Sequence, residues 1–251
     1  MKPLKLKYLF YGLILTGSQA FAQMEPIAKE GNKEFNLTVF IGSAFSNLSS
    51  DYESQLKTSG LQDIYNGNKL DGPSNTPSSE AYLVTDIEAG YFMDSRNGLS
   101  MNFALYDKTN VQGYQNIGNG NLMSIYSEVW SFSVNYNYRT KNKKHTMSLG
   151  PAFIWHGYRG SNLPETFDKK MGLHMGYSFQ LVQQENWFLS LKMNYRMAPK
   201  SAVGPFIREH TTTNDSGKMV THTSTFPVTE LNISSLNIGG TVGVKLNWNK
   251  Q

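Results

Sequence analysis

Five charged side chains sit in stretches that are otherwise apolar, small or aromatic: Asp86, Glu88, Lys192, Arg196 and Lys245. Asp86 and Glu88 are two residues apart and Lys192 and Arg196 four apart, so on an extended chain each pair lies on one face. Carried into an enclosed interior, such groups have to pair, because an unpaired buried charge is costly. The chemistry expected of them is therefore ion pairing inside a filled space. Other reactive types give weaker signals. His145, His156 and His174 share no metal-ligand spacing, so neither a metal site nor a cofactor is expected. Cysteine is absent, which excludes disulfides, thiolate catalysis and thiolate metal centres.

The elements that position these charges follow from a period of two. From Phe35 onward apolar residues recur at every second position, the pattern of a half-buried strand. Eight such stretches occur, at 35–42, 83–93, 99–106, 130–139, 147–155, 171–181, 187–196 and 236–248. In the fourth, Trp130, Phe132, Val134, Tyr136 and Tyr138 alternate with Ser131, Ser133, Asn135, Asn137 and Arg139. Asp86 and Glu88 belong to the polar face of the second, Lys192 and Arg196 to that of the seventh, and Lys245 to that of the eighth. Pro151 lacks a ladder donor, so a bulge or local break is expected near Gly150. Connections alternate between short turns and long loops, the long ones at about 46–80, 107–126, 157–169 and 198–230.

The amino terminus reads as an export signal over 1–22: Lys2, Lys5 and Lys7 precede an apolar stretch from Tyr8 to Leu15, and Ala20 and Ala22 flank Phe21 as a cleavage site. Residues 23–34 would be a short periplasmic segment and 35–251 the barrel. Taking the three signal lysines from 23 basic residues leaves 20 against 19 acidic ones. No basic patch with interleaved aromatics remains, so nucleic acid is not an expected partner.

Two kinds of up-and-down barrel alternate in this way, and the polar face separates them. Here it carries mostly Ser, Asn, Thr and Gly, small residues that fill a narrow interior, while the apolar face is an unbroken band suited to hydrocarbon. If the odd strands run outward, Tyr91, Tyr138, Trp187 and Trp248 fall at the periplasmic ends, and Trp130, Trp155 and Tyr195 at the outer ends. Those are two interface girdles. The fold class read from the sequence is all-β, an eight-stranded antiparallel up-and-down transmembrane β-barrel. Its expected place is the cell outer membrane, with both termini periplasmic.

At this point the chain resembles the small outer-membrane barrels of the OmpA-transmembrane and OmpX type. Thr241, Gly243, Leu246 and Trp248 are spaced like the polar-x-Gly-x-x-apolar-x-aromatic signal that the barrel-assembly machinery reads on a last strand. Three residues follow the aromatic here, whereas such chains commonly end on it. The resemblance implies outer-membrane lipid and lipopolysaccharide, and that machinery, as partners. It implies a structural or surface-recognition role, in adhesion or envelope integrity, exerted on an unknown surface ligand through the outer loops. Some barrels of similar plan modify lipid A. Deacylases of that kind carry His-x-Ser on a strand, and the match here, His222, Thr223 and Ser224, lies in a long loop. Palmitoyltransferases use outer-loop His, Asp and Ser, for which His210, Asp215 and Ser216 are the candidates. A lipid A-modifying enzyme is thus one alternative to a non-enzymatic barrel. A narrow gated ion channel is the second.

Overall fold

The computed structural model describes residues 33–63, 83–116, 122–160, 165–214 and 216–247. In chain order the elements are β1 (Glu34–Phe45), α1 (Leu48–Thr58), β2 (Leu61–Asp63), β3 (Leu83–Phe92), β4 (Asn97–Asn116), β5 (Leu122–Arg139), β6 (His145–Gly160) and β7 (Thr166–Gln183). They continue with β8 (Trp187–Met197), β9 (Ser201–Val203), β10 (Phe206–Thr213), β11 (Met219–Phe226), β12 (Thr229–Leu231) and β13 (Ser235–Asn247). Eight of the strands, β1, β3 to β8 and β13, pair antiparallel in chain order around a ring. The ring closes where β13 pairs with β1 and is continuous between β4 and β5. The fold is a closed eight-stranded antiparallel β-barrel.

Burial along these strands is inverted relative to a water-soluble protein. Ser131, Ser133, Asn135, Asn194 and Asn237 point inward and are buried, while Leu37, Ile87, Phe103, Phe153 and Leu191 point outward and are exposed. The alternation is strict because successive side chains of a strand leave on opposite faces. Glycine permits the close inner contacts. Gly42 and Gly239 face each other across β1 and β13, and a Cβ on Gly239 would come within 2.1 Å of the Ile41 carbonyl oxygen.

Pro151 is accommodated without a bulge. Its ring faces outward, the β5 ladder lapses over Gly150 and Pro151, and the register on either side is unchanged. Gly150 lets the β5 backbone close in there, since a Cβ on it would lie 1.9 Å from the Val134 carbonyl oxygen. The short turns lie at one end, and Asp94 organises the first of them. Its carboxylate accepts from the backbone N–H groups of Arg96 (2.6 Å) and Asn97 (2.7 Å) and from the Asn97 side chain (2.8 Å).

The outer connections hold more structure than the strand pattern implies. Strands β4 to β7 run through much of the stretches expected to be loops at 107–126 and 157–169. The physical reason is a change of polarity. Beyond Leu105 and Trp130 the inward positions of β4 and β5 include Val111, Met123, Ile125 and Val129 beside Thr109 and Ser127, while Lys108, Asn110 and Glu128 face out. The change coincides with a register shift between Leu105 and Asp107, which turns both Tyr106 and Asp107 inward. The last long connection forms the pair β9 and β12 and the hairpin β10–β11.

Candidate functional site

The interior has three levels, and the charges occupy two of them. At mid-height β3 and β8 meet across the lumen. Lys192 Nζ donates to Glu88 (2.6 Å) and lies 3.4 Å from Asp86, while Arg196 lies 3.7 Å from Asp86. Amide groups complete the layer. Asn194 donates to Asp86 (2.8 Å), and Arg196 donates to Asn237 (2.7 Å) and Asn102 (2.8 Å). Two carboxylates and two cations cancel, which is how a quartet this deep is tolerated. The Arg196 guanidinium also lies over the Tyr106 ring at 5.2 Å. His174 sits beside the layer, its Nδ1 donating to Asn135 Oδ1 (2.8 Å).

Lys245 is not part of that quartet. It lies at the short-turn end, opposite Asn36 in the β1 ladder and with its ammonium 5.5 Å from the centre of the Phe188 ring. Close by, Arg139 donates to Glu34 at 2.7 Å and stacks over Phe92 at 3.9 Å.

The outer level is an apolar plug. Leu48, Tyr52 and Leu56 line one side of α1 at helical spacing and pack fully buried with Ile125, Val129, Ile154, Val203 and Phe226. The helix carries no charge on that face, so it seals the mouth by the hydrophobic effect. Beneath it runs a polar relay. Ser201 donates to Asp168 (2.8 Å) and accepts from His156 Nδ1 (2.7 Å). That fixes the tautomer and leaves the one lone pair of Nε2 shared between the hydroxyls of Ser127 (2.7 Å) and of Tyr52 of α1 (3.2 Å). Burial pushes the Tyr52 hydroxyl well above its ordinary pKa, so it keeps the proton it donates. Ser127, His156 and Asp168 are residue types that acyl transfer uses, but Ser127 is fully buried beneath Tyr52 and Ser201 stands between the histidine and the acid. The arrangement anchors the plug to the wall.

The sequence pattern missed this level. Leu48, Tyr52 and Leu56 recur at intervals of four, a helical signal inside a stretch read as loop. Met123, Ile125, Ser127 and Val129 alternate in a stretch half assigned to a connection.

Of the aromatic residues expected at two rings, Tyr91, Tyr138 and Trp187 face outward at the short-turn ends of their strands, and Trp130, Trp155 and Tyr195 face outward at the other end. Trp130 and Trp155 are direct ladder partners, and Phe103 stacks on Trp130 at 5.5 Å. Trp248 and Asp215 lie outside the described residues, as does the expected signal 1–22. His210 is a ladder partner of His222 in the hairpin β10–β11, while Ser216 lies in the turn at its tip, beyond the last rung at Thr213. Among the described residues no group of His, Asp and Glu is arranged to hold a metal ion.

No protein-family model and no curated protein matches the chain. Solved structures of similar fold include Ail, the attachment invasion locus protein of Yersinia pestis, in complex with the heparin analogue sucrose octasulfate. That likeness covers 86% of this chain and 99% of that one, with 10% identity and a TM-score of 0.40. A major outer membrane protein from Thermus thermophilus is 8% identical over 85% of this chain and 99% of that one, with a TM-score of 0.47. Neisserial surface protein A is 13% identical over 86% and 98%, with a TM-score of 0.37.

Proposed function

We propose that the chain is an outer-membrane barrel closed to free diffusion, whose outer face carries a structural or surface-recognition role. The observation that supports it is the inverted burial of the strands. Val242 is 58% exposed at the middle of β13 while Asn135 and Asn194 inside are 0% exposed, an arrangement suited to hydrocarbon and not to water. The two outward aromatic rings fit that surroundings. From Trp130 to Tyr138 the β5 chain rises about 27 Å, or about 21 Å across a wall tilted by about 40°. Periplasmic termini and a cleaved signal belong to the same reading.

Closure rests on two barriers in series, the neutral charge quartet and the apolar plug under α1, which disfavour a conducting pore. Recognition then falls to the outer surface, where the hairpin β10–β11 presents Ile207, Met219 and Val220 to solvent. Val242→Arg tests the placement. In a bilayer an arginine at mid-wall is expected to cost about 2–4 kcal/mol, and on a water-facing strand next to nothing. Urea unfolding of the refolded variant in vesicles, with outer-membrane fractionation and heat-modifiable gel migration of the native protein, reads the outcome. A neutral substitution, or native protein in the soluble periplasmic fraction, would overturn the proposal.

A further inference from the structure

Below the charge quartet the lumen opens into a vestibule of about 70 Å³ that reaches the short-turn end at Lys144. Its lining carries two carboxylates, Glu34 and Glu88, and four cations, Arg139, Lys144, Lys192 and Lys245. Glu34 is taken by Arg139 and Glu88 by Lys192. Among the described residues neither Lys144 nor Lys245 has a carboxylate within 4.0 Å. The space is therefore lined by two positive charges in excess.

Lys245 is the informative one. Only 6% exposed, it feels Glu34 at longer range, but Arg139 already engages that carboxylate. A cation drawn this far from water is unfavourable until something anionic joins it. One polar group of the vestibule is also short of a partner: the Thr241 hydroxyl is buried, lines the space and has no hydrogen bond. Inorganic oxyanions accept from such hydroxyl and ammonium donors, and Ser178, Ser190 and Thr146 add further hydroxyls to the lining.

The space is also built to stay open. The outer end of the Phe188 ring packs against Gly243, where a Cβ would come within 2.2 Å of it, and the Lys245 ammonium lies 5.5 Å from the ring centre. Arg139 is held likewise over Phe92. Both cations are thus fixed by an aromatic surface before any ligand arrives, which lowers the ordering cost of binding. The volume is several times the roughly 10–15 Å³ of cavity that one water needs, so a small multi-atom ion fits.

We infer that this vestibule is a binding site for a small oxyanion of the phosphate class, held by Lys245 and Lys144. The wall of the barrel separates it from lipid, so the ligand is a free ion and not a headgroup. The site depends on the closed wall and not on the membrane placement.

Full-length protein refolded in a phosphate-free maltoside detergent is titrated with inorganic phosphate, and binding is followed by phosphorus NMR line broadening at constant ionic strength. Saturable binding is expected. Lys245→Met should weaken it about tenfold or more, the loss of a hydrogen bond to a charged group. Lys144→Met, on the exposed turn, should weaken it severalfold without touching the wall, and it keeps the test decisive if Lys245→Met fails to refold. Sulfate should compete and chloride at equal ionic strength should not. Binding that never saturates, or is unchanged in both variants, or is displaced equally by chloride, overturns the inference. So does preferential binding of short-chain phosphatidylglycerol over free phosphate.

Discussion

Replacing Asp86 with asparagine removes one charge from the mid-lumen quartet and almost no volume, so it isolates electrostatics from packing. Asp86 is 2% exposed, accepts from Asn194 at 2.8 Å, and has Lys192 at 3.4 Å and Arg196 at 3.7 Å. Without it Glu88 faces two cations, and the layer carries an uncompensated positive charge. Removing one partner of a buried pair costs about 3–5 kcal/mol, which is roughly a hundredfold to a few thousandfold in the folding equilibrium. Lys192→Met should cost a similar amount with the opposite sign of excess charge. The double variant leaves Glu88 with Arg196, neutral again, and should be no less stable than either single variant. Its interaction energy should therefore be at least about 3 kcal/mol in the stabilising direction. Urea titration of the refolded barrel, followed by tryptophan fluorescence and by gel mobility, measures all three. Added salt should change little, since the layer is shielded from solvent. An Asp86→Asn cost below about 1 kcal/mol, or strict additivity in the double variant, would show that the quartet is solvated and refute the account of a closed interior.

Tyr52→Phe removes one hydrogen bond from the plug, worth about 1 kcal/mol, so limited proteolysis within α1 should accelerate about fivefold while the barrel band on gels is unchanged. Gly239→Val should abolish the heat-resistant folded band, since its Cβ meets the β1 backbone, whereas Gly240→Val next to it, with nothing within 4 Å, should fold normally. Asp94 in the first short turn gives a pH signature: burial works to raise its pKa, but the Asn97 side chain and the Arg96 and Asn97 N–H groups win and hold it below the usual carboxylate range. Its contribution is then present above the unfolded value near 3.9 and lost as pH falls through the lower folded one, so Asp94→Asn should flatten the acid limb of the stability curve. Excising 207–225 from the hairpin, with a short glycine turn joining Phe206 to Phe226, should leave barrel stability unchanged because that aromatic pair, 5.4 Å apart, is the part that packs in the plug. Melting curves of the shortened protein read the result, and a large loss would contradict the division between hairpin and plug.

How much of this was legible follows from what a period of two contains. It tells which face a residue takes, so the inward positions of Asp86, Glu88, Lys192, Arg196 and Lys245 could be read from Ser, Asn and Gly neighbours at even spacing. It does not tell height. Lys192 is the ladder partner of Gly239, six residues from Lys245 along β13, which places the two ammonium-bearing positions about 20 Å apart along the strand. Register, a long-range property, put four charges in one layer and left the fifth at the vestibule. Helix α1 was hidden for a different reason. Its apolar residues are separated by polar ones in a Ser-rich stretch, and its stability comes from the mouth it covers more than from its own propensity.

The polarity change along β4, β5 and β6 accounts for both the missed strands and the closure of the barrel. Each of these strands serves two solvents in turn. Through the lower part the wall turns Met101, Phe103 and Val134 outward and Asn102, Ser133 and Asn135 inward. Past the bulge at Tyr106 the same strands turn Lys108 and Glu128 outward, paired at 3.1 Å, and Val111, Ile125 and Val129 inward. An alternation read as one continuous face has to fail at that crossing, which is why the expected strands stopped there. Above it the wall obeys the rules of a water-soluble barrel and needs an apolar filling, which Leu48, Tyr52 and Leu56 of α1 supply together with Val203, Phe206 and Phe226. The plug is thus the core of the upper barrel and not a loop laid across an open channel. Opening the lumen to the outside would require unfolding that core, so closure follows from the way the outer third of the wall is stabilised.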